Sequence, residues 1–223
     1  MVYTYSFTHT SRHMKKTNII DISMDLNAKT IVWTADPPPN LKPILRKPKD
    51  ECNFTWLDFG SHAGTHIDAP YYLYSKKWTT DKIPFARLMG ACQVLDLTDV
   101  SNTITVQALK RHAITRRIIL LKTKNSYDPM KKYNPQHVDL SPEGADYLVK
   151  KGVLTLGYDY QSFEREGKNI LHRIFLSRSI TLIDNLRLKH AREKEYFLIC
   201  LPIKVTGIDG APARAILLEQ CRL

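Results

Sequence analysis

Long apolar runs are missing from this chain. The longest, residues 196–203 and 118–121 among them, are strand-length, far short of the ~20 residues a membrane-spanning helix needs. Residues 1–18 are polar and aromatic, with His9, His13, Lys15 and Lys16. They lack the apolar stretch and small-residue cleavage site of a secretory signal, so a cytoplasmic address and no membrane partner are expected. Cysteine is sparse. Cys52, Cys92, Cys200 and Cys221 form no Cys-x-x-Cys pair, which argues for structural or incidental thiols rather than a disulfide framework. Internal repeats and low-complexity linkers are also lacking. The one proline-rich stretch, residues 36–40, is a rigid turn too short to separate domains.

Positive charge, by contrast, is plentiful: 33 Lys and Arg against 22 Asp and Glu give a net charge of +11. The basic residues come as short clusters along the whole chain, with no RNA-binding signature or zinc finger beside them. They read as solvated surface, so no specific nucleic-acid partner is expected; a binder of anions or nucleic acid has charge alone in its favour. A positive field would attract small anionic substrates under either reading. The apolar fraction of 43% and charged fraction of 25% are those of an ordinary soluble globular protein.

Strands are expected at residues 18–24, 30–33, 52–59, 93–97, 117–122, 153–157 and 180–184, from apolar, branched or alternating runs bounded by polar segments. Helices are expected at 106–112 behind Thr105, at 144–150 behind Ser141-Pro142-Glu143, and at 169–177. Proline in the first turn and Gly152 just past the end mark the limits of the second of these. Residues 196–205 and 213–218 flank a turn-rich Gly207–Pro212 connection and are expected to pair antiparallel. The alternation is that of a strand-rich α/β chain in one domain.

One segment carries chemistry: His62-Ala-Gly-Thr-His66-Ile-Asp68-Ala-Pro70. On a helix, His62 and His66 share a face and Asp68 points away. On a straight strand all three share a face, but the two histidines stand about 13 Å apart. One ion needs its donor atoms within about 2.0–2.2 Å of itself, so the backbone must bend between the histidines. Gly64 supplies the bend and Pro70 fixes the exit. Imidazole and carboxylate donors suit Zn²⁺ first, then Mn²⁺ or Fe²⁺.

These residues resemble the signature His-x-Gly-Thr-His-x-Asp-x-Pro-x-His of the cyclase family, which includes bacterial kynurenine formamidases and isatin hydrolases. Six fixed positions match; Tyr72 stands where the last histidine belongs. The resemblance runs through Ile19–Ser23, Trp33, Asp36-Pro37, Leu140–Ala145, Gly157–Ser162, Leu171–Arg173, Ile183–Leu186 and Asp209–Arg214. It implies an α/β fold of the family's single-domain swivelling β/β/α type over residues 18–223, with residues 1–17 as an N-terminal extension. It also implies a homodimer or homotetramer and metal-dependent hydrolysis of a small amide, N-formylkynurenine being the family's best-known substrate.

By the same resemblance His62, His66 and Asp68 bind one zinc ion, and Asp68 bridges to a second held by His172 and Asp184. The family has glutamate at the last position; aspartate shortens that arm by roughly 1.5 Å, so one ion or two are both open. Tyr72 and Asp184 are the catalytic candidates. The family's histidine takes a proton from the metal-activated water, whereas tyrosine, with a pKa near 10, donates a hydrogen bond, steers a water or forms aromatic wall. Turnover without that base, or a catalytically impaired, ligand-binding member of the family, are the two outcomes left open. Trp33 stacks on an aromatic substrate or belongs to the core. His9, His13, His112, His137 and His190 match no ligand position and are expected on the surface.

Overall fold

The computed structural model describes residues 2–5, 17–33, 35–165 and 168–219. His9, His13 and Cys221 lie outside them. The strands are β1 (Val2–Tyr5), β2 (Thr17–Asp21), β3 (Asn40–Leu45), β4 (Phe54–Asp58), β5 (His66–Asp68), β6 (Met89–Asp96), β7 (Thr103–Ile104), β8 (Ile118–Lys122), β9 (Asp139–Leu140), β10 (Thr155–Tyr158), β11 (Thr181–Asp184), β12 (Lys194–Pro202) and β13 (Gly210–Leu218). The α-helices are α1 (Phe85–Leu88), α2 (Val106–Lys110), α3 (Pro142–Lys150) and α4 (Ile170–Leu176).

Strands β6, β8, β10 and β11 run parallel in that order, with α2, α3 and α4 on the crossovers between them. Antiparallel β12 and β13 continue the sheet from β6, and β5 pairs with both β11 and β13. The circuit closes as a seven-stranded barrel. Strand β13 is long enough to share one edge between two short partners, residues 210–212 with β5 and 216–218 with β2. The α/β architecture expected from the alternation of elements is therefore present, closed into a barrel.

The barrel explains why the parallel strands read as unbroken apolar runs: both of their faces are covered. Along β8, Ile119 and Leu121 join Leu148, Leu171 and Phe175 of the helices in one cluster. Ile118 and Leu120 join Ile67, Ile183, Leu198 and Leu217 in the other, inside the barrel. Local signals fix the helices. Ser141 caps α3 by accepting the Gly144 N–H, Thr105 does the same for α2 from Ala108, and Gly152 follows α3 at φ +75°. No helix among the described residues is long and apolar enough to cross a membrane.

Two local expectations fail. Residues 30–33 are not a strand, because side chain and backbone satisfy each other in turns. Thr30 Oγ1 accepts the Asn27 N–H, the Thr30 N–H goes to the Asn27 carbonyl, and the Asp36 N–H closes a turn on Trp33. Conversely β3 forms where only loop was foreseen, pairing with β4 as a separate two-stranded arm.

His137 is also a correction. It is fully buried rather than on the surface, stacked on Tyr160 at 4.3 Å between ring centroids, with Nδ1–H donated to the Asn134 carbonyl. His112 is partly buried against Glu193, and His190 is exposed as expected. Cys92 and Cys200 are buried free thiols, and Cys52 is exposed and free.

Candidate metal centre

The bend forecast at Gly64 is present. His62 lies in a turn closed by Ala63 N–H on the Gly60 carbonyl, Gly64 takes φ +64°, and β5 begins two residues later. The two histidine rings stand 5.0 Å apart, centroid to centroid. Thr65 anchors the bend: its hydroxyl donates to the Asn185 carbonyl and accepts the Met24 N–H.

Register completes the cluster. On β5, Ile67 points into the barrel core, so His66 and Asp68 share the opposite face. Asp184 lies directly across from His66 on β11 and shares that face. His172 comes from the first turn of α4, the crossover that enters β11. Two overlapping groups of donors result among the described residues: His62, His66 and Asp68, and then Asp68, His172 and Asp184. Within each group the donor atoms lie within 4.8 Å of one another.

The second nitrogen of each histidine shows what the first is for. His62 donates Nε2–H to Asp209 at 2.7 Å, His66 donates Nδ1–H to the Gly64 carbonyl at 2.8 Å, and His172 donates Nδ1–H to Glu164 at 2.7 Å. In the neutral ring that binds a cation, each remaining nitrogen is a lone pair turned toward the carboxylates. His62 Nδ1 is 2.8 Å and His66 Nε2 3.3 Å from Asp68 Oδ1, and His172 Nε2 is 3.7 Å from Asp68 Oδ2. Asp68 Oδ1 and Asp184 Oδ1 are buried and accept no hydrogen bond. Buried acceptors facing lone pairs fit a divalent cation, and a histidine with its far nitrogen held is the usual arrangement at metal sites.

The crowding of negative charge shows on the titrating groups. Burial alone would lower the His62 pKa, but the charges of Asp68 and Asp209 outweigh it and raise it to about 10. Asp68 is held well below the usual carboxylate range against its burial, by His62 and His66. Asp184 is pushed well above it, by burial first and then by the charge of Asp68. Two carboxylates in one dry site cannot both ionise without a counter-charge, which a cation would supply.

These side chains line a cleft of about 390 Å³ at the ends of the parallel strands, together with Val32, Trp33, Asp36, Tyr72, Gln161, Asn169 and others. Pro70 opens a 3₁₀ turn that carries Tyr72 back over the centre, with its ring 4.9 Å from that of His62 and 6.0 Å from that of His172. Its phenol is raised above the ordinary value by burial and by Asp68. Trp33 is not core; it sits part-exposed in the cleft, edge-on to Tyr133.

Sequence reasoning missed Asp209 and Glu164. Asp209 lies in the turn-rich Gly207–Pro212 connection, which the resemblance reaches without giving Asp209 a role. Beside it a Cβ on Gly210 would stand 2.8 Å from the His62 ring, so glycine lets that ring lie against the β13 backbone. An acid just before a glycine in a turn was the available signal, but it is a common one.

A closed barrel with helical crossovers and a histidine–aspartate cleft at its strand ends is the build of a cyclase-type hydrolase. The chain belongs to the putative cyclase family, whose model matches residues 20–165. It is 28% identical over 204 residues to a kynurenine formamidase from Salinibacter ruber, covering 89% of this chain and 96% of that one. A kynurenine formamidase from Bacillus cytotoxicus is 28% identical over 207 residues, covering 92% and 99%. Among solved structures, a potential metal-dependent hydrolase with cyclase activity superposes at a TM-score of 0.82 with 28% identity, over 92% of this chain and 100% of that one. An isatin hydrolase bound to thioisatinate shares the fold at a TM-score of 0.79 with 18% identity, over 91% and 92%.

Proposed function

We propose that this protein hydrolyses the C–N bond of a small amide, in the manner of the kynurenine formamidases it is similar to, at a centre of one or two zinc ions, with manganese as the alternative. The observation that carries the proposal is the pair of donor clusters sharing Asp68, each histidine with its outer nitrogen already bound. His62, His66 and Asp68 would hold one cation, and Asp68, His172 and Asp184 a second. When bound, a cation of this kind polarises a carbonyl and lowers the pKa of water to about 7.

The chain's own groups do the rest. Tyr72 keeps its proton at neutral pH and donates it in a hydrogen bond to oxygen on which charge builds, as a preorganised donor in a low-dielectric cleft. Asp184, when no cation is on it, is a carboxyl able to carry a proton within the site. Trp33 offers a face for an aromatic ring, so an aryl formamide such as N-formylkynurenine is the substrate class of choice. The cleft falls in the size range of small-molecule sites.

A homodimer or homotetramer is part of the same proposal. The β3–β4 arm exposes Trp56 (58%) and the adjacent Leu57 (59%) on opposite faces, and an isolated two-stranded hairpin is marginal by itself. A second copy packed against the arm would cover both.

Tyr72 also favours a second reading, a ligand-binding member that has lost turnover, because the position holds no base near neutral pH. A panel of aryl formamides and cyclic amides separates the two. The enzyme reading predicts turnover of at least one compound, lost on chelation and in His66→Ala. Tight binding without turnover across the panel would favour the second.

A further inference from the structure

Glu164 lies on the connection between β10 and α4, outside both donor clusters, and is 8% exposed. Its carboxylate serves three donors. Oε2 accepts the Ile170 N–H at 2.7 Å, while Oε1 accepts the His172 N–H at 3.3 Å and His172 Nδ1–H at 2.7 Å. The residue ahead of α4 does not do this work, since Asn169 is left-handed at φ 54° and its side chain caps nothing. One buried side chain therefore ties down the first turn of α4 and orients the ring carried on it. Phe163 packs on that ring at 5.7 Å between centroids, and Tyr72 at 6.0 Å.

We propose that Glu164 is the positioning residue of the second half of the centre. Holding Nδ1–H fixes the tautomer and the angle of His172, so that Nε2 faces Asp68 and Asp184, and this sets the affinity for the second cation. The inference rests on the metal-centre reading above. The short arm of Asp184 sharpens it: with less reach on one side of the site, the cation depends more on where His172 is held. Glu164 hydrogen-bonds Ile170 and His172 rather than His62, His66 or Asp68, so its loss reaches the first cation only through the shared Asp68.

The test is calorimetric titration of the full, metal-free chain with Zn²⁺, with Co²⁺ absorption as an independent report on the ligand field. Wild type is expected to take two cations in distinguishable steps. Glu164→Ala should keep the first step and weaken the second by roughly 10–100-fold, the usual cost of losing an outer partner of a metal-bound histidine. Glu164→Gln keeps one acceptor oxygen, which can serve the His172 N–H and Nδ1–H, but turns an amide NH2 toward the Ile170 N–H and removes the charge beside His172. A role in capping alone predicts faster amide exchange at the start of α4 with wild-type second-step affinity and an unchanged Co²⁺ spectrum in Glu164→Gln, and that result overturns the proposal. A second step weakened about tenfold, with a shifted spectrum and amide exchange in α4 unchanged beyond Ile170, supports it. Wild type that binds no cation at all fails the metal-centre reading instead, before Glu164 enters.

Discussion

Asp68→Asn is expected to empty both halves of the centre at once. Asp68 is 2% exposed and belongs to both donor groups, with Oδ1 toward His62 and His66 and Oδ2 toward His172. Asparagine preserves its volume and its place across from Leu182 and Gly210, but not the charge that offsets a cation's desolvation. The variant should bind no metal at concentrations that saturate wild type. Hydrolysis should fall to the uncatalysed rate, a loss of at least about 10⁶-fold if the enzyme's acceleration is of ordinary size. Metal analysis and a turnover assay check this, with far-UV circular dichroism to verify that the barrel has formed. A variant that keeps both metal and rate would remove Asp68 from the centre.

Tyr72→His is expected to act in the opposite direction. The ring at this position already lies over His62 and His172, so an imidazole placed there faces the reacting water. The phenol it replaces is raised above 10 and titrates far from neutrality. A positioned base is worth about 10²–10⁴-fold, and the variant should gain up to that factor in kcat on an aryl formamide. The pH profile tells this apart from a mere change of shape. The variant should acquire a second limb in the imidazole range near pH 6.5, beside the single limb near pH 7 that a metal-bound water would give both proteins. No gain and no new limb would mean that Tyr72 serves as wall rather than as part of the chemistry.

What could be read in advance was local. The demand for a bend at Gly64 follows from two histidines and an aspartate that no regular element can use together. The limits of α3 follow from Ser141, Pro142 and Gly152, whose capping chemistry acts within a turn. Strand β8 is legible because a strand buried on both faces must be apolar at every position. What stayed hidden depends on contacts between distant segments. Asp209 comes to His62 only because β13 divides one edge between β5 and β2. Glu164 meets His172 in space, and nothing in their spacing of eight residues marks that. Buried His137 was misread for the same reason: its polar neighbours in sequence are not its neighbours in space, where Tyr160 covers it. Strand β3 has no buried face and so no alternation to detect, whereas its partner β4 was legible in the alternation of residues 52–59.

On the proposed function, the bent histidine segment and Asp68 form a metal site. The most direct test of this is the metal content of the freshly purified protein, with stoichiometry, beside His66→Ala prepared in the same way. The account predicts at least one zinc or manganese ion per chain in wild type, recovered on titration after chelation and lost from the variant. Wild-type protein that is isolated without metal and takes up none on titration would contradict it.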